Sequence, residues 1–266
     1  MPFTLAHAVA ALPLRRLRLV WSALIIGTFA PDLEYFVRFS PDDGYGHTLV
    51  GSLVLSLPLA IVTLWLFHAF VKAPLIELLP EGIRLRLANY RGEFSFGGVA
   101  RFAWIIASIL LGMATHLLWD SFTHHNTWLY RRWPLLREQL GVPIFRAVPV
   151  YKVLQHASTA VGLGTLLIWL LLWYRDAEVS TISEAPRIPA ARKLLIFVVM
   201  AAIALLVAAI RAIATTGIPP NHLAVMRFVG LFLVTSVSVI WWEFVLYGIS
   251  RSRRQATTTD PPLRGA

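Results

Sequence analysis

Imidazole and carboxylate side chains recur at a few positions of a sequence that is otherwise strongly apolar. The chain has eight histidines and no cysteine, so a bound metal ion would have to be held by histidine and carboxylate ligands. Neutral imidazole nitrogen and carboxylate oxygen suit a divalent ion such as zinc, manganese or iron. The candidate residues are His7, Asp32, His47, His116, Asp120, His124, His125 and His156.

His116 and Asp120 have the most informative spacing. They are four residues apart in an apolar run, so on a helix they lie one turn apart on the same face, and a longer helix would add His124. A single histidine near a helix end is more often an interfacial residue than a ligand, so the prediction rests on the whole set. His68 and His222 fit no cluster, and we interpret them as structural.

The elements that position these residues are membrane helices. Hydrophobic residues make up 57% of the 266 residues and charged residues 14%, with a mean hydropathy of +0.66, which is typical of an all-α polytopic membrane protein. Five apolar runs are long enough to cross a bilayer: Leu49–Val71, Val99–Phe122, Val153–Tyr174, Leu194–Gly217 and Leu223–Gly248. The shorter run Leu19–Ala30 fits a sixth span or a re-entrant segment, so we expect five to six transmembrane helices.

Residues 1–250 are expected to form a single helical membrane domain, and 251–266 a disordered basic tail. We expect Met1–Pro13 to stay on the mature protein, because its basic cluster follows the apolar stretch. The net charge of +10 comes from Lys and Arg that flank apolar runs, which indicates contact with membrane lipids and excludes nucleic acid as the expected partner. The sequence carries no signal for an oligomeric state.

Each crossing changes the side of the membrane, so the five runs place His47, the His116/Asp120 pair and His156 at one face, together with the Asp32 loop. The opposite set of connections, together with the adjacent Arg101, holds 13 of the 24 Lys and Arg. The positive-inside rule therefore predicts that the candidate site faces away from the cytoplasm.

Three stretches carry a family resemblance: the opening MPFTLAH, GTFAPDLE at Gly27–Glu34, and THLLWDSFTH at Thr115–His124. In these motifs the chain resembles an uncharacterised bacterial membrane family defined as a domain of unknown function, and the resemblance covers most of the chain. That family is similar to inner-membrane proteins predicted to be metal-dependent hydrolases, and more distantly to the zinc-dependent phospholipase C and P1 nuclease group. The resemblance implies a location in the bacterial cytoplasmic (inner) membrane.

In the zinc-dependent group, a helical core binds a zinc cluster through histidines and aspartates in a fixed order. The positions of this chain that match that order are His7, Asp32, His47, His116, Asp120, His124 and His156. In zinc phospholipases a glutamate follows the last histidine by four residues, whereas Ala160 stands there in this chain. No counterpart of the metal-binding amino-terminal tryptophan is present either. We therefore expect one or two ions, with zinc as the expected metal, rather than three.

These observations favour a membrane-embedded metal-dependent hydrolase that acts on a phosphate or ester of a lipid or lipid-linked substrate. A divalent ion with an open position lowers the pKa of its bound water and polarises a phosphoryl or acyl oxygen. Asp32 is the candidate general base, Asp120 would bridge ions or orient a histidine, and Arg131 and Arg132 could hold a lipid phosphate. Two alternatives stay open: a non-catalytic scaffold with a degenerate metal site, and an ion or proton transporter.

Overall fold

The computed structural model describes residues 3–41, 44–142, 145–180, 188–217 and 221–259. Among these, five helices are long and apolar enough to cross a membrane. We name them span 1 to span 5: Leu49–Leu78, Val99–Arg132, Val150–Asp176, Ala190–Thr216 and Leu223–Arg253. The predicted all-α polytopic fold is confirmed, because the five runs read from the sequence begin and end within a few residues of these spans, except at the extended ends of spans 1 and 2.

Short helices precede span 1. They are the 3-10 helix Thr4–Ala10, the α-helices Ala11–Leu14 and Trp21–Gly27, the 3-10 turn Ala30–Asp32, the α-helix Leu33–Arg38 and the 3-10 turn Tyr45–His47. The helix Trp21–Gly27 lies in the run Leu19–Ala30, for which the sequence left open a sixth span or a re-entrant segment. Its seven residues cover only about 10 Å at 1.5 Å per residue, so it is too short to cross the bilayer.

The spans are not uniform α-helices. Span 1 consists of α-helices Leu49–Gly51, Leu57–Leu66 and Lys72–Leu78, separated by π-helical segments Ser52–Ser56 and Phe67–Val71. Span 2 comprises α-helices Val99–Thr123 and Trp128–Arg132. The connections contain the α-helix Glu81–Arg86, the 3-10 turns Ala88–Tyr90 and Pro134–Arg137, and an antiparallel hairpin of strands Gln139–Val142 and Phe145–Pro149. The last helix is His222–Thr259, and residues 260–266 of the predicted tail lie outside the described residues.

Two compact units can be distinguished, and all the candidate ligands belong to unit 1. Unit 1 comprises Met1–Glu34, Asp43–Leu64 and Phe96–Asp176, and unit 2 comprises Tyr35–Asp42, Trp65–Ser95 and Ala177–Ala266. In unit 2, spans 4 and 5 pack along a row of fully buried small side chains, Ala204, Ala208 and Ala212. Small residues at this spacing let two membrane helices approach closely.

In unit 1, the helix Trp21–Gly27 packs tightly against span 2. A Cβ atom on Gly27 would lie 2.4 Å from the Ile109 carbonyl oxygen, and one on Gly112 would lie 2.4 Å from that of Leu24. The Val20 backbone N–H also donates a hydrogen bond of 2.9 Å to Ser108 Oγ. Close backbone contact therefore fixes the segment before Asp32 against the helix that carries His116.

Candidate metal centre

Six of the predicted site residues come together in unit 1. Two overlapping groups each offer three ligand atoms that lie within 4.8 Å of one another. One group is His7, His116 and Asp120, and the other is Asp32, His47 and His116. His116 is common to both groups, and His124 lies beside them, so we call these six residues the His/Asp cluster.

Asp120 contacts every histidine of the cluster. Its Oδ2 atom lies 3.2 Å from His116 Nε2 and 3.6 Å from His47 Nε2. Its Oδ1 atom lies 3.5 Å from His7 Nε2 and 3.4 Å from His124 Nδ1. Four imidazoles therefore surround one carboxylate, which is more than a simple pairing of acid and base would need.

Asp32 contacts two of the same histidines, His47 and His116. Its Oδ1 atom lies 3.2 Å from His47 Nε2 and 3.7 Å from His116 Nε2. Its Oδ2 atom accepts a hydrogen bond of 2.6 Å from the Thr4 hydroxyl. The side chain is fully buried, so the hydroxyl fixes which oxygen points toward the histidines.

The orientation of the His116 ring is set by the backbone. His116 Nδ1 lies 2.8 Å from the Thr28 carbonyl oxygen, and because a carbonyl only accepts, Nδ1 carries a proton. A neutral His116 would then present its Nε2 lone pair to the two carboxylates. A ligand histidine usually donates its other ring N–H to a carbonyl or carboxylate in this way.

His7 comes to the centre on the 3-10 helix Thr4–Ala10, where it is 5% exposed. Its ring stacks on that of His116, with centroids 3.9 Å apart. Burial, followed by the neighbouring His116 ring, lowers the pKa of His7 to about 4, although Asp120 and Asp32 oppose this shift. His7 is therefore neutral at neutral pH, which is the form that binds metal ions.

His47 is held by a network around the turn Tyr45–His47. The Gly46 backbone N–H donates a hydrogen bond of 2.7 Å to Glu34 Oε2, and Ser52 Oγ donates one of 2.9 Å to the Gly46 carbonyl oxygen. Ser52 is the first residue of the π-helical segment of span 1. The polar start of span 1 thus positions the turn that carries a candidate ligand.

His124 follows the α-helix of span 2 instead of continuing it. The helix ends at Thr123, and His124 has extended backbone angles. Its side chain is 21% exposed and that of His47 is 23% exposed, whereas the other four are at most 8% exposed. The cluster is therefore open to its surroundings along the edge formed by His47 and His124.

Several polar atoms of the cluster make no hydrogen bond to another residue in the described ranges, although they are buried. They include His7 Nε2, His116 Nε2, Asp32 Oδ1 and Asp120 Oδ1. Buried polar atoms are nearly always satisfied, so such orphans call for an explanation. An ion bound between them would supply the missing partner, and the buried histidine and aspartate groups could hold one.

The other histidines lie elsewhere. His156 is exposed and belongs to neither ligand group found among the described residues, so the structure does not bring it to the cluster. His125 is exposed. His68, in unit 2, stacks on Phe94 with ring centroids 3.9 Å apart, and the side chain of His222 lies outside the described residues.

The contact between Thr4 and the cluster was not among the sequence predictions. Thr4 lies three positions before His7, and its hydroxyl bonds to Asp32, which is 28 residues away in the chain. The presence of Thr4 in the opening motif was a signal, but a threonine at the start of a short helix is more simply interpreted as a helix cap. The long-range hydrogen bond could not be deduced from that position.

The five long helices and the buried His/Asp cluster define the protein as an all-α polytopic membrane protein with a candidate metal site. The family model described as Domain of unknown function (DUF4184) matches residues 1–249, and the chain belongs to this family. Comparisons with curated proteins and with solved structures gave no match. Every residue of the His/Asp cluster lies within the part of the chain that the family model covers.

Proposed function

We propose that this protein is a membrane-embedded hydrolase that binds one or two zinc ions and cleaves a phosphate or ester bond of a lipid or lipid-linked substrate. The observation that carries the proposal is the gathering of four imidazoles around two buried carboxylates, with His116 shared by two ligand groups of three residues each. The more distant similarity to zinc-dependent phospholipases supports the same reaction class.

The spacing of the ligand atoms fits zinc. Zinc binds imidazole nitrogen and carboxylate oxygen at about 2.0–2.2 Å with tetrahedral geometry, which places ligand atoms roughly 3.3 Å apart. The closest nitrogen–oxygen pairs of the cluster, formed by His116 with Asp120 and by His47 with Asp32, are 3.2 Å apart. Each ligand group offers three protein atoms, which leaves one position of a tetrahedral ion for a ligand from solvent.

A divalent ion held by these residues would supply a Lewis acid that lowers the pKa of water and polarises a phosphoryl or acyl oxygen. The protein's own part is to orient His116 through Thr28 and Asp32 through Thr4. His124 lies at the open edge and belongs to neither ligand group, so its imidazole is the one left to exchange a proton with solvent. Asp32 as general base stays a prediction, and its two contacts through Oδ1 favour a ligand role instead.

We further propose that the protein lies in the bacterial inner membrane with the His/Asp cluster facing away from the cytoplasm. The support is the similarity of the family to inner-membrane proteins and the excess of Lys and Arg in the opposite connections. The chain has no cysteine, so single cysteines at the exposed Ser95 and Asn126 can be labelled in intact cells. Labelling of Asn126→Cys alone is expected, and labelling of Ser95→Cys would contradict the orientation.

Hydrolysis is tested with purified protein reconstituted into vesicles of a total bacterial lipid extract. After zinc loading, wild type is expected to release phosphate esters or fatty acids, which mass spectrometry and ³¹P NMR detect. The matched pair of variants is His124→Ala and His125→Ala, since the first side chain faces Asp120 and the second is exposed. Turnover should fall only in the first variant. A zinc-loaded wild type that releases no more product than His116→Ala would contradict the hydrolase.

A second candidate is a structural metal site without catalysis. Four of the six side chains of the cluster are nearly inaccessible, and Ala160 stands where zinc phospholipases have a glutamate. Structural zinc sites are closed, whereas catalytic sites keep an open position. In that case zinc would stabilise the fold and the vesicle assay would show no turnover, so the same experiment separates the two functions.

A further inference from the structure

A short segment after the His/Asp cluster combines exposed aromatic and cationic side chains. We call residues Trp128–Arg137 the Trp/Arg segment; it contains the α-helix Trp128–Arg132 and the 3-10 turn Pro134–Arg137. Trp128 is 66% exposed and Trp133 is 51% exposed. Two buried leucines, Leu129 and Leu136, anchor the inner side. The segment is therefore fixed to unit 1 while its outer side is uncovered.

The outer side is positively charged. Arg131, Arg132 and Arg137 are all exposed, and within the described part of the chain none of the three pairs with a carboxylate. The Arg132 guanidinium lies over the Trp128 ring, 5.6 Å from its centroid. Arginine binds phosphate through two parallel hydrogen bonds, and a ring stacked beneath it leaves those donors available.

The length of the preceding helix indicates that the segment lies near the lipid headgroups. The helix Val99–Thr123 has 25 residues, which span about 37 Å, whereas the hydrocarbon core measures about 30 Å. Its end, and the residues that follow, must therefore reach the interface. Tryptophan is enriched at this level of the membrane, and exposed Trp and Arg together match the apolar and phosphate parts of a lipid.

Hydrogen bonds and a ring contact join the segment to the residues that follow Asp120. Asn126 has a positive φ of 63°, which Asn tolerates better than most residues, and it lies between the helices Val99–Thr123 and Trp128–Arg132. Thr127 Oγ1 lies 2.7 Å from the Ser121 carbonyl oxygen and 3.1 Å from that of His124. Trp133 packs edge-on against Phe122, with ring centroids 5.7 Å apart. The arginines are thus held at a fixed place relative to the open edge at His124.

We propose that the Trp/Arg segment is a binding surface for the headgroup of an anionic phospholipid. The surface does not depend on a metal ion, so it goes beyond the proposed function. If the hydrolase proposal is also correct, the segment draws anionic phospholipids to the open edge of the cluster at His47 and His124. A lipid fits better than an acidic protein surface, because the arginines lie among the exposed apolar side chains of Trp128, Trp133 and Leu135, which a protein partner would have to cover.

The test uses a single fluorescent label at the exposed Leu135, introduced through Leu135→Cys in the cysteine-free chain. The protein is reconstituted in mixtures of phosphatidylcholine and phosphatidylglycerol in which one lipid or the other carries bromine, a quencher. Each basic residue near an anionic lipid contributes about fivefold to binding. Brominated phosphatidylglycerol is therefore expected to quench as if enriched severalfold around the label.

Arg131→Gln combined with Arg132→Gln should remove most of this enrichment, because only Arg137 remains of the three exposed arginines. Arg15→Gln combined with Arg16→Gln, which removes the same charge from another exposed site, should retain it. His116→Ala should also retain it, so failure of the hydrolase proposal would not be confused with failure of this one. Arg131→Lys with Arg132→Lys, which keeps the charge, should preserve most of the enrichment. Equal quenching by both lipids in wild type, or unchanged enrichment in the double Gln variant, would overturn the proposal.

Discussion

Each unit contains buried carboxylates, and the two units differ in the positive groups that lie beside them. In unit 2, Glu77 is 9% exposed, accepts a hydrogen bond of 2.5 Å from Arg91, and forms a second ion pair with Arg251. We call these three residues the Glu/Arg cluster. Arginine is always charged, so this cluster supplies its own compensating cations.

In the His/Asp cluster of unit 1, none of the described residues is an arginine or a lysine. Its two carboxylates are at most 6% exposed, and their ion-pair neighbours among the described residues are imidazoles. An imidazole becomes positive only by binding a proton, and an uncompensated buried carboxylate is costly. The comparison shows that burial alone does not indicate a ligand site. What distinguishes the His/Asp cluster is that imidazoles, rather than permanently charged guanidinium groups, face its carboxylates in the described residues, and we propose that a bound cation completes its charge balance.

The largest expected effect is that of His116→Ala. Loss of the shared ligand removes one donor from both groups, and zinc affinity should fall more than roughly 100-fold, beyond the loss typical of residues that only orient a ligand. Titration with a competing zinc dye measures the affinity, and the near-isosteric His116→Gln variant guards against a folding defect. Wild-type affinity in both variants would break the contrast between the two clusters.

Glu77→Gln is expected to lower stability and to leave zinc binding unchanged. It leaves two arginines without their carboxylate and should lower the free energy of unfolding by on the order of 2 kcal/mol, since the pair is partly exposed. The content of bound zinc should not change, because the Glu/Arg cluster is complete without a metal. Thermal denaturation in detergent and elemental analysis of the same sample test both parts, and loss of zinc in this variant would show that the clusters are not independent.

Thr4→Val should have a smaller effect that is specific to metal binding. The substitution keeps the shape of the side chain and removes the hydroxyl that bonds to Asp32 Oδ2. Residues that orient a ligand typically change metal affinity by about tenfold or more. Thr159→Val serves as the control, because its hydroxyl contacts backbone groups only. Equal zinc affinity in the two variants would mean that Asp32 needs no orientation.

The smallest effect on metal affinity is expected for His124→Ala. His124 contacts Asp120 but belongs to neither ligand group, so zinc affinity should fall less than about tenfold. His125→Ala should leave it unchanged. A loss as large as that of His116→Ala would show that His124 is a full ligand, and would make the cluster larger than the two groups of three.

The sequence predicted the spans because long apolar runs leave few alternatives in a bilayer. It could not predict the π-helical segments of span 1 or the 3-10 turns that carry His7 and His47, since these depend on tertiary contacts. The hydrogen bond from Ser52 to the Gly46 carbonyl oxygen is one example. The hairpin between spans 2 and 3 could not be predicted either, because strands of four and five residues carry too short a pattern to recognise.

The site was predictable to the extent that motif order and helical spacing reflect position in space. His116 and Asp120 share a helix face, and Asp32 and His47 occur in the predicted order. His156 also fits that order, yet it is exposed. Sequence order places a residue at a helix end but does not fix the rotation of that helix, and at the start of span 3 it is Gln155 that is buried.

The most direct test of the central claim is the metal content of wild-type protein purified without chelators and without histidine-tag affinity resin. Elemental analysis is expected to find at least one zinc ion per chain. Removing the zinc with 1,10-phenanthroline should lower the thermal unfolding temperature, and adding zinc back should restore it. A metal-free wild type whose unfolding temperature does not respond to zinc or another divalent ion would contradict the proposal that a bound cation completes the charge balance of the His/Asp cluster.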